Sequence, residues 1–249
     1  MIKAVAWDID GTLVDSEPLH LKSLILVCKK YNVDISDLPN EYFIGVNLPG
    51  VWKSLQKRFP AGLKFEEWAH QINNFYFINS STLTTMPDAS EVIKELQIMD
   101  ILQVAVSNSN RLVVDINLAA LGVSKIFNFS LSLDDVKIGK PDPTPYKIAA
   151  KKLGLKPYEI LAVEDSISGI ISAQKAGLLV AAVNVRGNLA KPADFSITSL
   201  KEVLNLIKII KPKKAILTNL HSSVDYTKLK KILPKNVIPA YDGMKILFN

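Results

Sequence analysis

Between residues 86 and 211, short apolar runs alternate with segments of helical length, and this alternation restricts the fold more than any other feature of the chain. Periodicity predicts helices at 90–99, 112–121, 144–153 and 168–176, separated by strands at 102–107, 127–130, 160–163 and 180–183. A further apolar strand opens the chain at 2–7. Strands joined by helices of this length form a parallel sheet with right-handed crossovers. In such sheets ligands sit beyond the carboxyl ends of the strands. Asp8, Ser107 and Glu164-Asp165 each fall at one of those ends, so residues distant in sequence can converge on one volume.

The first strand end is the most suggestive. Side chains at i and i+2 of a strand share a side, so fraying after Trp7 would present the carboxylates of Asp8 and Asp10 together. Gly11 permits a sharp turn, and Thr12 offers a hydroxyl to a neighbouring carboxylate. Two crowded like charges need a cation, a shared proton or separate tasks. A magnesium ion, with one aspartate as nucleophile and the other as acid and base, would supply all three. A polar strand end leading into a turn accounts for the same residues without chemistry.

Four groups then follow one another along the chain. They are Asp8-Ile9-Asp10-Gly11-Thr12, Ser107 in Val104-Ala105-Val106-Ser107-Asn108-Ser109, Lys140 in Gly139-Lys140-Pro141-Asp142-Pro143, and Glu164-Asp165 in Leu161-Ala162-Val163-Glu164-Asp165-Ser166. In type and order they resemble the haloacid dehalogenase superfamily, specifically its sugar-phosphatase and β-phosphoglucomutase-like branch, over about residues 1–205. The resemblance implies a Rossmann-like, three-layer α/β core from 1–15 and 86–210, with a helical cap inserted at 16–85 and a C-terminal extension at 211–249. It further implies a Mg2+-dependent phosphatase that hydrolyses a small phosphate monoester, a sugar or polyol phosphate, through an aspartyl-phosphate intermediate. Asp8 would be the nucleophile and Asp10 the acid and base. Asp8, the backbone carbonyl of Asp10 and Asp165 would hold the metal, with Glu164 a direct or indirect partner. Ser107 and the amide of Asn108 would hold phosphoryl oxygens, and Lys140 would neutralise charge on the phosphoryl group and on Asp8. Taken singly, Ser107-Asn108 is an ordinary loop, Lys140 an exposed lysine, and Glu164-Asp165-Ser166 a helix N-cap with favourable dipole charges.

Related chemistries can be weighed on the same residues. True dehalogenases need neither the second aspartate nor a metal, so Asp10 and Glu164-Asp165 argue against halide displacement. A phosphomutase is the nearer alternative. His20 stands where mutase-like relatives carry a histidine that assists proton traffic, although the same Ser16-Glu17-Pro18-Leu19-His20 run suits plain phosphatases and a helix-surface histidine. Mutase relatives also grip a second phosphate with a basic residue after a Gly-Val pair, and Ile44-Gly45-Val46-Asn47-Leu48-Pro49 contains no Arg or Lys. Lys53, Lys57 and Arg58 read as a solvated helix face.

The segment 16–85 reads as helices at 17–31, 49–59 and 65–79 with no strand. A lid over an aspartyl-phosphate site would exclude bulk water and strengthen the electrostatics within. Trp52, Trp68, Phe75 and Tyr76 would either line a sugar-sized pocket or form the core of that lid. Asn184 and Arg186 follow the last strand and would either touch the site or touch nothing. Cys28 is the only cysteine, which excludes an internal disulfide and a cysteine-based metal site. No apolar run approaches the ~18 residues of a membrane span, and with no secretory pattern after Met1 a cytosolic protein is expected. The extension 211–249 carries eight lysines against two aspartates, an excess equal to the whole chain's net charge of +6. Strands at 215–217 and 245–248 around a helix at 224–233 would make it a small βαβ appendage that is structural or forms oligomers, the protein being a monomer or homodimer. A phosphatase-like scaffold binding nucleic acid or an anionic membrane through this tail is the remaining alternative.

Overall fold

The computed structural model describes residues 2–39, 42–43, 46–185, 192–209, 215–217, 228–229, 231, 233, 237–241 and 244. The chain enters through β1 (Ala4–Trp7), passes the short β2 (Val14–Asp15), and makes a helical excursion through α1 (Glu17–Lys30), α2 (Leu48–Leu55) and α3 (Phe65–Ile78). It returns on β3 (Thr84–Thr85), which pairs antiparallel with β2. From there the alternation runs α4 (Ala89–Ile98), β4 (Leu102–Val106), α5 (Arg111–Ala120), β5 (Phe129–Leu131) and α6 (Thr144–Leu153). It continues through β6 (Ile160–Glu164), α7 (Ile167–Ala176), β7 (Leu179–Val183), β8 (Phe195–Ile197) and α8 (Lys201–Ile209).

Six strands form one sheet in the order β5-β4-β1-β6-β7-β8, and every pairing in it is parallel. β1 is central, with Ala6 in register with Val104 on one side and Ala162 on the other. The connections run outward through β4 and β5 on one side and through β6, β7 and β8 on the other. The strand order therefore reverses at β1, which opens a crevice at its carboxyl end. One face of the sheet presents Ala4, Ala6, Val104, Val106, Ile160, Ala162 and Val180 to Tyr146 and Ala149 of α6 and Ile170 and Ala173 of α7. On the opposite face the Trp7 indole donates to Gln103 Oε1 at 3.0 Å, and Gln103 Nε2 donates to the Ile93 carbonyl of α4 at 2.9 Å. With both faces covered, β1 and β6 are buried throughout and β4 and β7 over all but their first residue, which is why they read as mainly apolar runs.

The excursion has its own core, made by Leu24, Val27 and Cys28 of α1, Val51 and Leu55 of α2, and Trp68 and Ile72 of α3. The Trp52 ring stacks on Phe59 with centroids 5.4 Å apart and lies 5.3 Å from Trp68. Trp52 and Trp68 are thus cap core. Phe75 and Tyr76 belong instead to a smaller cluster with Leu19 and Val113, where α3 rests on α5. Burial of Cys28 pushes its thiol up to about 11, as suits an inert core residue.

Several local expectations are corrected. The segment 16–85 contains a strand, β3, whose two residues are too few for a periodic signal and whose partner β2 lies far earlier in the chain. The helix expected at 49–59 starts one residue earlier, with the Asn47 side chain capping the Gly50 amide at 3.0 Å, and ends at Leu55 before a 3-10 turn at Gln56–Arg58. Pro60 ends the 3-10 turn, because it holds the preceding Phe59 extended at ψ 156°. The strand expected at 127–130 pairs as Phe129–Leu131, and β8 and α8 were not foreseen.

The chain divides into two compact units, Ile2–Asn205 and Leu206–Asn249, the latter with Met1. In the second unit β9 (Ala215–Leu217) pairs in parallel with β10 (Val237–Pro239), and Lys228, Leu229 and Lys231 between them are helical. The strand that pairs with β9 thus lies at 237–239, where the sequence pattern indicated none. The strand expected at 245–248, most of the helix expected at 224–233, and Arg186 lie outside the described residues. Among the described residues, no helix is long and apolar enough to cross a membrane.

Candidate active site

The crevice beyond β1 collects the residues expected there. Asp8 follows β1, and its amide continues the ladder by donating to the Val163 carbonyl at 3.0 Å. Ser107 follows β4, its amide donating to the Leu131 carbonyl at 2.9 Å. Glu164 is the last residue of β6 and Asp165 the next. Lys140 enters from the β5–α6 connection, and its ammonium donates to Asp8 Oδ1 at 2.6 Å, Glu164 Oε1 at 2.6 Å and the Val106 carbonyl at 2.7 Å. All of its donors are used, and its side chain is 2% exposed. The Asn108 side chain fixes this loop, accepting from the Lys140 amide at 2.7 Å and donating to its carbonyl at 3.0 Å. Gly139 makes that approach possible, since a Cβ there would stand 2.5 Å from Asn108 Oδ1.

Carboxylate oxygens of Asp8, Glu164 and Asp165 lie within 4.8 Å of one another. One lysine cannot balance them. Burial pushes Asp8 well above the usual carboxylate range; the Lys140 charge opposes this, while Glu164, Asp165 and Asp10 add to it. Burial, then the Glu164 charge, pushes Asp165 up to about 7. Burial alone would lower the Lys140 ammonium, but Asp8 and Glu164 outweigh it and push the group up, so the lysine stays charged. Hard oxygen donors with surplus negative charge fit a divalent cation. Two glycines shape the cluster. Gly11 turns at φ +81°, and a Cβ on it would stand 2.3 Å from Asp165 Oδ2, while the Thr12 hydroxyl donates to Asp165 Oδ1 at 3.2 Å. A Cβ on Gly169 of α7 would lie 1.8 Å from Glu164 Oε2. Glu164 is wholly buried and also accepts from the Tyr146 hydroxyl of α6.

Asp10 occupies a different environment. Its Oδ1 meets Ser16 Oγ at 2.7 Å, Asn117 Nδ2 at 2.8 Å and His20 Nε2 at 3.2 Å. Its Oδ2 accepts from Ser109 Oγ at 2.9 Å and Ser107 Oγ at 3.0 Å. Burial would raise this carboxyl, but the His20 hydrogen bond and charge, with the hydrogen bonds of Ser16 and Ser109, hold it well below the usual range. Two aspartates two positions apart are thus driven in opposite directions.

The sequence pattern that defines haloacid dehalogenase-like hydrolases matches residues 5–183. The chain belongs to this family. It is 30% identical to the pyrophosphatase PpaX of Oceanobacillus iheyensis over 182 residues, covering 73% of this chain and 83% of that protein. It is 28% identical to a phosphorylated carbohydrates phosphatase of Thermotoga maritima over 219 residues, covering 83% of this chain and 99% of that protein. The crystal structure of a predicted phosphoglycolate phosphatase from Haemophilus somnus superposes with a TM-score of 0.74 at 23% identity, covering 83% of this chain and 98% of that one. The protein is therefore a haloacid dehalogenase-like phosphatase with a six-stranded core and a helical cap over α2 and α3.

In this haloacid dehalogenase-like hydrolase, Asp8, Asp10, Thr12, Ser107, Asn108, Lys140, Glu164 and Asp165 converge, and His20 joins them through Asp10. The Ser107 hydroxyl is turned to Asp10, and the Asn108 side chain to the lysine loop. The Asp10 side chain is held by its own hydrogen-bond donors, apart from the cluster of Asp8, Glu164 and Asp165. Sequence reasoning did not single out Ser16, Ser109, Asn117, Tyr146 or Gly169 for the site. Asn117 alone left a trace, as a polar residue among the apolar positions Val113, Val114 and Leu118 of α5.

Proposed function

We propose that the protein is a Mg2+-dependent phosphatase of small phosphate monoesters, sugar or polyol phosphates above all, acting through an aspartyl phosphate on Asp8. The observation that carries this is the opposite treatment of two neighbouring carboxylates, Asp8 against Lys140 in the acidic cluster and Asp10 in a cage of hydrogen-bond donors. Asp8, the Asp10 carbonyl and Asp165 would hold Mg2+, which when bound neutralises charge on the phosphoryl oxygens and on Asp8. Glu164, occupied by Lys140 and Tyr146, acts indirectly by orienting the lysine.

A carboxylate oxygen of Asp8 attacks phosphorus, the bond from phosphorus to the alkoxy oxygen breaks, and Asp10 delivers a proton to the departing oxygen. Water then attacks the phosphoryl group, Asp10 accepts its proton, and Asp8 is regenerated as phosphate leaves. The cage of donors suits Asp10 as the base of the second step. For the first it must be protonated, and an entering phosphoryl group promotes this by drawing the Ser107 hydroxyl away from Asp10 and adding negative charge nearby. The PpaX relative supports inorganic pyrophosphate as a second substrate reading. Because Val46-Asn47-Leu48-Pro49 offers no basic side chain for a second phosphate, hydrolysis is the better reading than phosphoryl transfer between sugars. Phosphate release from sugar, polyol, glycolate and nucleotide monophosphates and from pyrophosphate, in Mg2+ and in EDTA, tests the assignment. A preference for pyrophosphate over every monoester would replace the first substrate reading by the second.

A further inference from the structure

We propose that Asn117 and Tyr76 are positioning residues that clamp the Asp10 carboxylate from the cap side and aim it at the leaving oxygen. The inference rests on Asp10 serving as the acid. Asn117, on α5, is fully buried, and both ends of its carboxamide are used. Nδ2 donates to Asp10 Oδ1 at 2.8 Å, and Oδ1 accepts from the Tyr76 hydroxyl at 2.7 Å. The chain of donors has one direction. A carboxylate only accepts, so the amide nitrogen must face Asp10, the amide oxygen must face Tyr76, and the phenol must donate.

Tyr76 belongs to cap helix α3 and is itself fully buried. Its ring lies 4.5 Å from the His20 ring, and His20 Nε2 is the other nitrogen on Asp10 Oδ1. The cap helix thus reaches the same carboxylate oxygen by two routes, through Asn117 and through His20. Around them α3 is fastened to α5 by the Asn110–Asn73 hydrogen bond at 3.0 Å and by packing of Leu19, Tyr76 and Val113. A carboxylate with free rotation would present its proton in many directions. One held by groups from both cap and core presents it in the direction that the cap position sets.

The test compares kcat/KM for a polyol phosphate and for p-nitrophenyl phosphate in wild type, Tyr76→Phe, Asn117→Leu and Asp10→Ala. This ratio reports the step that expels the leaving group, and nitrophenolate departs without an acid. Asn117→Leu is expected to lose on the order of tenfold with the polyol phosphate and under about threefold with the aryl phosphate, a fraction of what Asp10→Ala loses. Tyr76→Phe should move the same ratio less, and should add nothing in the Asn117→Leu background. Equal loss on both substrates, or no loss, while Asp10→Ala retains the split, would overturn the clamp and leave Asp10 as the acid. No split in Asp10→Ala would remove Asp10 as the acid and the clamp with it. Should Asn117→Leu fail to fold, Tyr76→Phe, which lacks a single oxygen, decides on the same ratio.

Discussion

Lys140 shows how tightly single residues are bound into this site. Its ammonium is shared between two buried carboxylates and a carbonyl, so replacing it by a methionine of similar length leaves Asp8 and Glu164 buried without a counter-charge. Lys140→Met should destabilise the metal-free protein by about 3–5 kcal/mol, read from denaturant midpoints, and should abolish turnover. Unchanged stability would mean that the lysine is not the counter-charge the geometry implies. Gly169 carries a subtler demand. With Glu164 Oε2 only 1.8 Å from where a Cβ would stand, Gly169→Ala must displace the carboxylate that orients Lys140. A loss of more than about tenfold in kcat is expected, with far less change in KM. Unaltered kcat would show that the position of Glu164 does not matter.

At the scale of elements, the cap's aromatic residues decide between two readings of the same sequence. Trp68 is fully buried against Trp52 and Phe59, so Trp68→Ala should lower stability by about 3–5 kcal/mol while KM for any substrate stays within about twofold. A large rise in KM without a fall in melting temperature would restore the sugar-pocket reading. The long elements were legible in the chain because each carries a full period of its pattern. β1, β4, β6 and β7 are mainly apolar runs, and α1 and α3 carry apolar residues at helical spacing. β2, β3 and β8 were not, since two or three residues leave no periodicity and their pairing is dictated by distant partners. The same division runs through the site. Asp8 and Asp165 sit in ordered motifs at strand ends, and Lys140 in a proline-flanked loop motif, so all three could be read directly. Tyr146, Ser109 and Asn117 act through contacts made by other segments, which one-dimensional spacing does not express.

For the molecule as a whole, the acidic cluster ties stability to metal and pH. The Asp165 carboxyl sits at about 7 in the folded protein against 3.8 as an ordinary aspartate. A raised carboxyl adds stability that is fully present below the ordinary value and is lost as pH climbs through the raised one. Without metal the protein should therefore lose stability between pH 4 and 7 on this group's account. Mg2+ competes with protons for the same oxygens, so the rise in melting temperature that it produces should grow across that window. An increment independent of pH would place the metal elsewhere. The measurement that bears most directly on the central assignment is phosphate release from the substrate panel by wild type and Asp8→Asn, each in Mg2+ and in EDTA. Release by wild type in Mg2+ alone, with none from Asp8→Asn, is the predicted result. Release that persists in Asp8→Asn would contradict an aspartyl phosphate on that residue.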